Sequence, residues 1–259
     1  MGTVFPAKHL AQQSSPRSNC GLGELCLPNE PSAGQAENGN GFACSYKRVK
    51  GGEYLYRTGD PFASVYPLRL GFFKTSVVTA MGCEQVLGLH MRGEIMGFDG
   101  VDTGKHSCTA IALEDSLVCV VPFGLLEEQC TANRGLRRQF HRALSRQIDA
   151  GQGAMLMLGT MHAEERLAAF LLDLSERYGA CGYSPYEFNL RMTREEIGSL
   201  IGLKLETVSR TLARLQGRKL LSVAGKDVAI LDLPGLRHVI GHRVAPIQDA
   251  CTAGGAYSD

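Results

Sequence analysis

Apolar residues follow two different periods along this chain. Between residues 43 and about 127 the apolar runs are short and recur roughly every ten positions. Turn signals close them: Gly51-Gly52, Gly59-Asp60, Gly71, Gly82, Gly93, Gly97, Gly100 and Gly104. "EYLYR", "GFFKTSVV", "EQVLGLHM" and "SLVCVVPF" are the clearest runs, and their spacing predicts an antiparallel β-sandwich or jelly roll. From residue 136 the period lengthens. Leu136, Phe140, Leu144, Ile148, Met155 and Leu158 predict a long helix with a narrow apolar seam. So narrow a seam suits pairing with a second copy of itself, the alternative being an amphipathic helix packed on its own domain. Gly151 and Gly153 weaken that helix locally or permit close approach of two backbones. "MHAEERLAAFLLDLSERYGACG" adds another helix with a glycine stop.

The stretch "MTREEIGSLIGLKLETVSRTLARLQGRKLLSVAGKDVAIL" (192–231) carries the most information. Thr193 with Glu196 three residues on is a capping box that starts a helix. Ile197, Leu200 and Ile201 make its apolar face and Gly202 the tight turn. A second helix, about 205–216, buries Val208, Leu212 and Leu215 and shows Glu206, Ser209, Arg210 and Arg214 on other faces. Two short helices about a glycine turn predict a helix-turn-helix, and "LLSV" and "VAIL" predict the strands of a wing. Between residues 204 and 226, Lys204, Arg210, Arg214, Arg218, Lys219 and Lys226 face one acid, Glu206. A solvated basic face would explain the charge alone; the combined pattern points to double-stranded DNA. Arg210 suits guanine O6 and N7, Glu206 suits cytosine N4, and Ser209 suits a neighbouring base. Arg214, Lys219 and Lys226 suit phosphates. Thr207 and Thr193 complete the set of DNA-facing candidates.

Length and composition fill in the rest. The 259 residues suffice for two domains with their own cores. The predicted organisation is a flexible, cysteine-bearing segment over 1–42, a β-roll sensor domain over 43–130 and a dimerisation helix over 131–160. A winged helix-turn-helix domain over 161–240 and a disordered tail over 241–259 follow, so the fold class is α+β. A net charge of +1 with 20% charged residues does not argue against nucleic acid, because the distribution of charge decides. The N-terminus lacks an apolar signal-peptide core, and the longest apolar stretch, 117–126, is far short of the roughly 20 residues a membrane span needs. The expectation is a soluble cytoplasmic protein, with no membrane partner and mostly reduced thiols. No H-E-x-x-H, P-loop or nucleophile elbow suggests an enzyme.

Nine cysteines are present, and "SNCGLGELCLP" (18–28) sets Cys20 and Cys26 six positions apart in a Gly-containing stretch. Read alone, they could be metal ligands, redox switches or disulfide halves, the last disfavoured in a reducing compartment. Cys83, Cys108, Cys130 and Cys181 sit in or beside apolar stretches, as small hydrophobes do. The histidines form no metal-ligand spacing.

The order of β-roll, long helix and winged helix-turn-helix resembles the CRP/FNR superfamily of bacterial transcription regulators, over about residues 20–240. "GEIMGFDGV", "SLVCVVPF", "HAEERLAAFLLDLSERY" and "MTREEIGSLIGLKLETVSRTLARLQ" resemble the FNR (fumarate-and-nitrate-reduction) branch in particular. The resemblance implies a homodimer that recruits or blocks RNA polymerase. The E-x-x-S-R of Glu206, Ser209 and Arg210 implies TTGAT-type half-sites in a palindrome. Leu205, where the cyclic-AMP branch typically has arginine, favours that site. No cyclic nucleotide is expected: the Arg-Ser pair that holds the cyclic phosphate in relatives corresponds here to His106-Ser107, and imidazole cannot replace a guanidinium fork. The resemblance also implies an oxygen-labile [4Fe–4S] cluster on Cys20, Cys26 and Cys119. The usual further cysteine is replaced by Arg17, so the fourth ligand is open among Cys44, Cys108, Cys83 and His9. Three readings follow: a cluster with an unorthodox fourth ligand, a thiol-redox, constitutive or small-molecule-gated regulator without one, or a zinc site or no sensing.

Overall fold

The structure is a computed structural model that describes residues 36–37 and 43–241. Cys20, Cys26, Arg17, His9 and Cys251 lie outside the described residues. Contacts divide the described chain into two compact units. One runs to Val77 and resumes over Leu89–Gln147; the other takes Val78–Gly88 and everything from Ile148 on.

Two antiparallel sheets build the first unit, apart from Val78 of their fifth strand and Glu84–Gly88 of their sixth, which group with the second. The strands are β1 (Ala36–Glu37), β2 (Ala43–Val49), β3 (Tyr54–Tyr56), β4 (Ser64–Leu70), β5 (Phe72–Val78), β6 (Glu84–Met91), β7 (Ile95–Met96), β8 (Thr109–Ala112) and β9 (Ser116–Pro122). Their order is β1-β2-β9-β4-β7 in one sheet and β3-β8-β5-β6 in the other. Side chains alternate across the pleat, so one strand feeds two cores. Val118 joins Val49, Leu68, Phe73, Met96 and Ala110 in a core drawn from both sheets. Its neighbour Cys119 points the other way, into a core with Val65, Ile95, Val121, Leu126, Cys130 and Leu136. That second core is closed by α1 (Phe123–Ala132) and the start of α2 (Arg134–Thr160). The α+β class expected from the sequence is therefore the observed one, and α1 is an addition to it. Strand β4 also went unnamed in the sequence because Pro67 interrupts "SVYPLRL". Pro67 lies opposite Ile95 of the two-residue strand β7.

The second unit holds α3 (Ala163–Ala180), β10 (Glu187–Asn189), α4 (Arg194–Ile201), α5 (Leu205–Gly217), β11 (Leu221–Ala224), β12 (Asp227–Ile230) and α6 (Leu233–Ile240). The three strands form a small sheet in the order β10-β12-β11. Ile197, Ile201, Val208, Leu212, Leu215, Leu171 and Leu174 are buried. Burying a side chain of this size is worth about 1.5–3 kcal/mol.

Candidate nucleic-acid interface

The sequence-level cap is realised in full. Thr193 Oγ1 accepts from the Glu196 N–H at 3.2 Å, and Glu196 Oε2 accepts from the Thr193 N–H at 2.7 Å. This reciprocal pair satisfies two of the donors that a helix start leaves open, so the Thr193 hydroxyl already serves the fold. Gly202 ends α4 at φ 66°, ψ 41°, a left-handed conformation that glycine adopts without strain. The turn delivers α5, whose Val208, Thr211, Leu212 and Leu215 face inward. Glu206, Arg210 and Arg214 are exposed, and Thr207 and Ser209 half-buried, so the candidates lie on or beside the outer surface of one helix. Arg210 Nε donates to the Glu206 carbonyl one turn back, at 3.3 Å. Lys226 is exposed in the two-residue turn between β11 and β12, and its carbonyl accepts from the Leu190 N–H at 2.7 Å. Arg194 Nη2 donates to the Gly225 carbonyl of that turn at 3.4 Å. Lys204, Arg218 and Lys219 are exposed as well.

Two residues of this region escaped the sequence reading. Glu164, in the first turn of α3, receives Arg214 Nη1 on Oε2 at 3.1 Å and Arg218 Nη1 on Oε1. Arg166 donates to four carbonyls: Leu158 at 2.7 Å, Met161 at 2.9 Å, and Ile201 and Gly202 at 3.3 Å each. It thereby ties the end of α2 and the start of α3 to the turn of the helix-turn-helix. Acid enrichment at a helix start was the sole sequence signal for Glu164, and Arg166 had none, because their partners lie up to 54 residues away.

In the first unit, His106 is buried and stacked on Tyr56, with ring centroids 3.7 Å apart. Its Nδ1 lies 3.3 Å from Asp99 Oδ1. Asp99 Oδ2 accepts from the Ser107 N–H at 2.9 Å and from Cys108 Sγ at 3.4 Å. Burial, reinforced by Asp99, pushes the Cys108 thiol up to about 12, and burial drives the Tyr56 hydroxyl well above the ordinary tyrosine range. Cys119 is fully buried on β9, opposite Tyr46 of β2. Cys44 belongs to β2 and pairs with Ala36 of β1. Cys83 is exposed. Of the three expected cluster ligands only Cys119 falls within the described residues, and among those residues no group of three or more His, Cys, Asp or Glu could hold a metal ion. Of the expected ligands the described residues thus supply one buried thiol, that of Cys119. Cys108 lies in the other core, with Val118, where its thiol donates to Asp99 Oδ2. Among the described residues no helix is long and apolar enough to cross a membrane.

A winged helix-turn-helix with an exposed basic second helix defines a DNA-binding regulator. Comparison with known proteins makes the assignment specific. Residues 165–239 match the Crp-like helix-turn-helix domain and residues 46–133 the cyclic nucleotide-binding domain. The chain is 42% identical over 234 residues to the transcriptional regulatory protein btr of Bordetella pertussis, covering 90% of this chain and 94% of that one. It is 39% identical over 227 residues to the fumarate and nitrate reduction regulatory protein of Escherichia coli, covering 86% and 90%. The structure of FixK2 from Bradyrhizobium japonicum superposes with a TM-score of 0.69 at 25% identity, covering 76% of this chain and 96% of that one. The chain belongs to the FNR-like branch of the CRP/FNR superfamily of transcription regulators. It is a DNA-binding transcription regulator and not an enzyme.

Proposed function

We propose that this regulator acts in the cytoplasm as a homodimer on palindromic TTGAT-type sites and answers to oxygen or redox state. Glu206, Ser209 and Arg210 read bases, while Thr207, Arg214, Thr193 and Lys226 position the phosphate backbone. The observation that carries the reading is the exposure of the E-x-x-S-R residues on α5, in a chain about two-fifths identical to a fumarate and nitrate reduction regulator. Exposed Ile148, Met155 and Leu158 on the second half of α2 support pairing of two copies through that helix. Such pairing sets two reader helices about 34 Å apart, one turn of duplex. Contact with RNA polymerase then converts binding into activation or repression. The working boundaries are 43–130 for the sensor, 131–160 for the dimer helix and 161–240 for the DNA-binding domain.

Cys20, Cys26 and Cys119 would hold a [4Fe–4S] cluster, with the fourth ligand drawn from Cys44 or Cys108. The group would supply oxygen lability. Asp99 lies against His106 and accepts from the Ser107 N–H, the pair that resembles the phosphate-holding Arg-Ser of nucleotide-binding relatives, so its charge opposes an anionic ligand there and supports a nucleotide-free β-roll. Arg17 favours a second reading, a cluster-free regulator gated by thiol oxidation or by a small molecule. Iron and acid-labile sulfide counts on anaerobically purified protein, with DNA affinity measured before and after air, decide between them. Iron and sulfide that are lost on Cys119→Ser, with affinity falling in air, support the cluster. Their absence, with affinity unchanged by air, overturns oxygen sensing. For base reading, Arg210→Ala should weaken binding to the TTGAT palindrome by roughly 5- to 160-fold, about 1–3 kcal/mol. On a duplex with that G·C pair exchanged it should do little. Equal losses on both duplexes would refute a base-reading Arg210.

A further inference from the structure

Residues 206, 210, 214 and 218 follow at four-residue steps along α5 and its C-cap, so they share one slowly turning face. Its two ends differ. Glu206 and Arg210 are exposed. Arg214 and Arg218 are both drawn onto Glu164, one to each carboxylate oxygen. The Glu164 side chain is one-fifth exposed, whereas the Arg214 and Arg218 side chains are 64% and 49% exposed. Glu164 also lies in the first turn of α3, where the helix's positive end stabilises an acid with or without arginine. The carboxylate is therefore the fixed partner and the two guanidinium groups the mobile ones. Either arginine must give up Glu164 to present that nitrogen to a phosphate, and the carboxylate repels the approaching phosphate as well.

We propose that Glu164 restrains the sequence-independent part of DNA affinity by holding Arg214 and Arg218 in an internal ion-pair triad that phosphate must displace. The inference rests on the DNA-facing assignment of α5 made above. It makes Glu164 a tuning residue: binding to every duplex is lowered by a common factor, and base choice stays with Glu206, Ser209 and Arg210.

The test measures affinity of anaerobic full-length protein for a TTGAT palindrome and for a scrambled duplex, by fluorescence anisotropy from 50 to 200 mM salt. Glu164→Gln should bind both about 5- to 50-fold more tightly, with their ratio unchanged. The slope of log affinity against log salt should steepen by about one per protomer. In the Arg214→Gln/Arg218→Gln background the same change should alter affinity by less than about twofold. Unchanged or weaker binding by Glu164→Gln overturns the proposal. An equal gain in the arginine-free background also overturns it, since that would be bulk charge alone. Should Glu164→Gln unfold early in a thermal melt, Glu164→Asp decides: it keeps the charge but shortens the reach. A gain there supports the triad and no gain refutes it. If the unaltered protein binds neither duplex, the DNA-facing assignment of α5 falls and the triad with it. If the unaltered protein binds and Glu164→Gln changes nothing, the triad alone falls.

Discussion

Cys108 and Gly198 illustrate how single residues are committed by their surroundings. The Cys108 thiol is buried beside Asp99 and holds its proton to about pH 12, against 9.0 for an ordinary cysteine. The folded protein thus keeps a proton that the unfolded chain releases above pH 9. Stability from this group is fully present below pH 9 and declines as pH rises toward 12. Urea unfolding at pH 8 and at pH 10 should show a loss of midpoint that Cys108→Ala reduces. Exposed Cys83 should also react with iodoacetamide well before Cys108, as read by mass spectrometry of timed samples. At Gly198 a Cβ would stand 2.5 Å from the Leu203 carbonyl oxygen, with Val208 Cγ2 at 3.5 Å. Gly198→Ala forces α4 away from the turn and should cost about 1–3 kcal/mol in a urea titration. The sequence showed this glycine inside an apolar helix face without a hint of that approach, because the carbonyl arrives from beyond the Gly202 turn.

The helices α2 and α5 differ in how fully one chain covers them. Their apolar residues recur with helical spacing, and that much is legible in the sequence. On α5, Val208, Leu212 and Leu215 find their cover within the chain. On α2, Leu136 and Ala143 are buried, whereas Ile148, Met155, Leu156 and Leu158 are 41–75% exposed. A seam that changes from covered to bare along one helix marks where a second copy would take over. Ile148→Glu should therefore shift the protein toward monomer, measured by light scattering across a dilution series. It should weaken palindrome binding while leaving single half-site binding within about twofold. Unchanged mass at every concentration would place the dimer contact elsewhere.

At the scale of the whole molecule, the helix-turn-helix lies in the second compact unit, and a homodimer would present two such helices to one face of the duplex. Inserting five base pairs between half-sites turns the second by about half a helical turn. Affinity should then fall to that of a single half-site, and a further five should restore part of it. Much of this architecture could be read directly. Apolar period, glycine turns, the Thr193–Glu196 cap and the E-x-x-S-R stripe depend on residues a few positions apart, so the sequence by itself determined the α+β class, the helix-turn-helix and the residues exposed on its second helix. What tertiary structure decided are meetings across long separations: Asp99 with His106 and Cys108, Cys119 facing α1 and α2 while Val118 faces the opposite sheet, Arg166 on four carbonyls, and Glu164 on two arginines of the reader helix. Local spacing carries no record of such partners, since they are brought together only by the closing of loops and the packing of apolar faces. The basic stripe on α5 looked almost unopposed in sequence; in the fold, part of it is already neutralised by a carboxylate from α3.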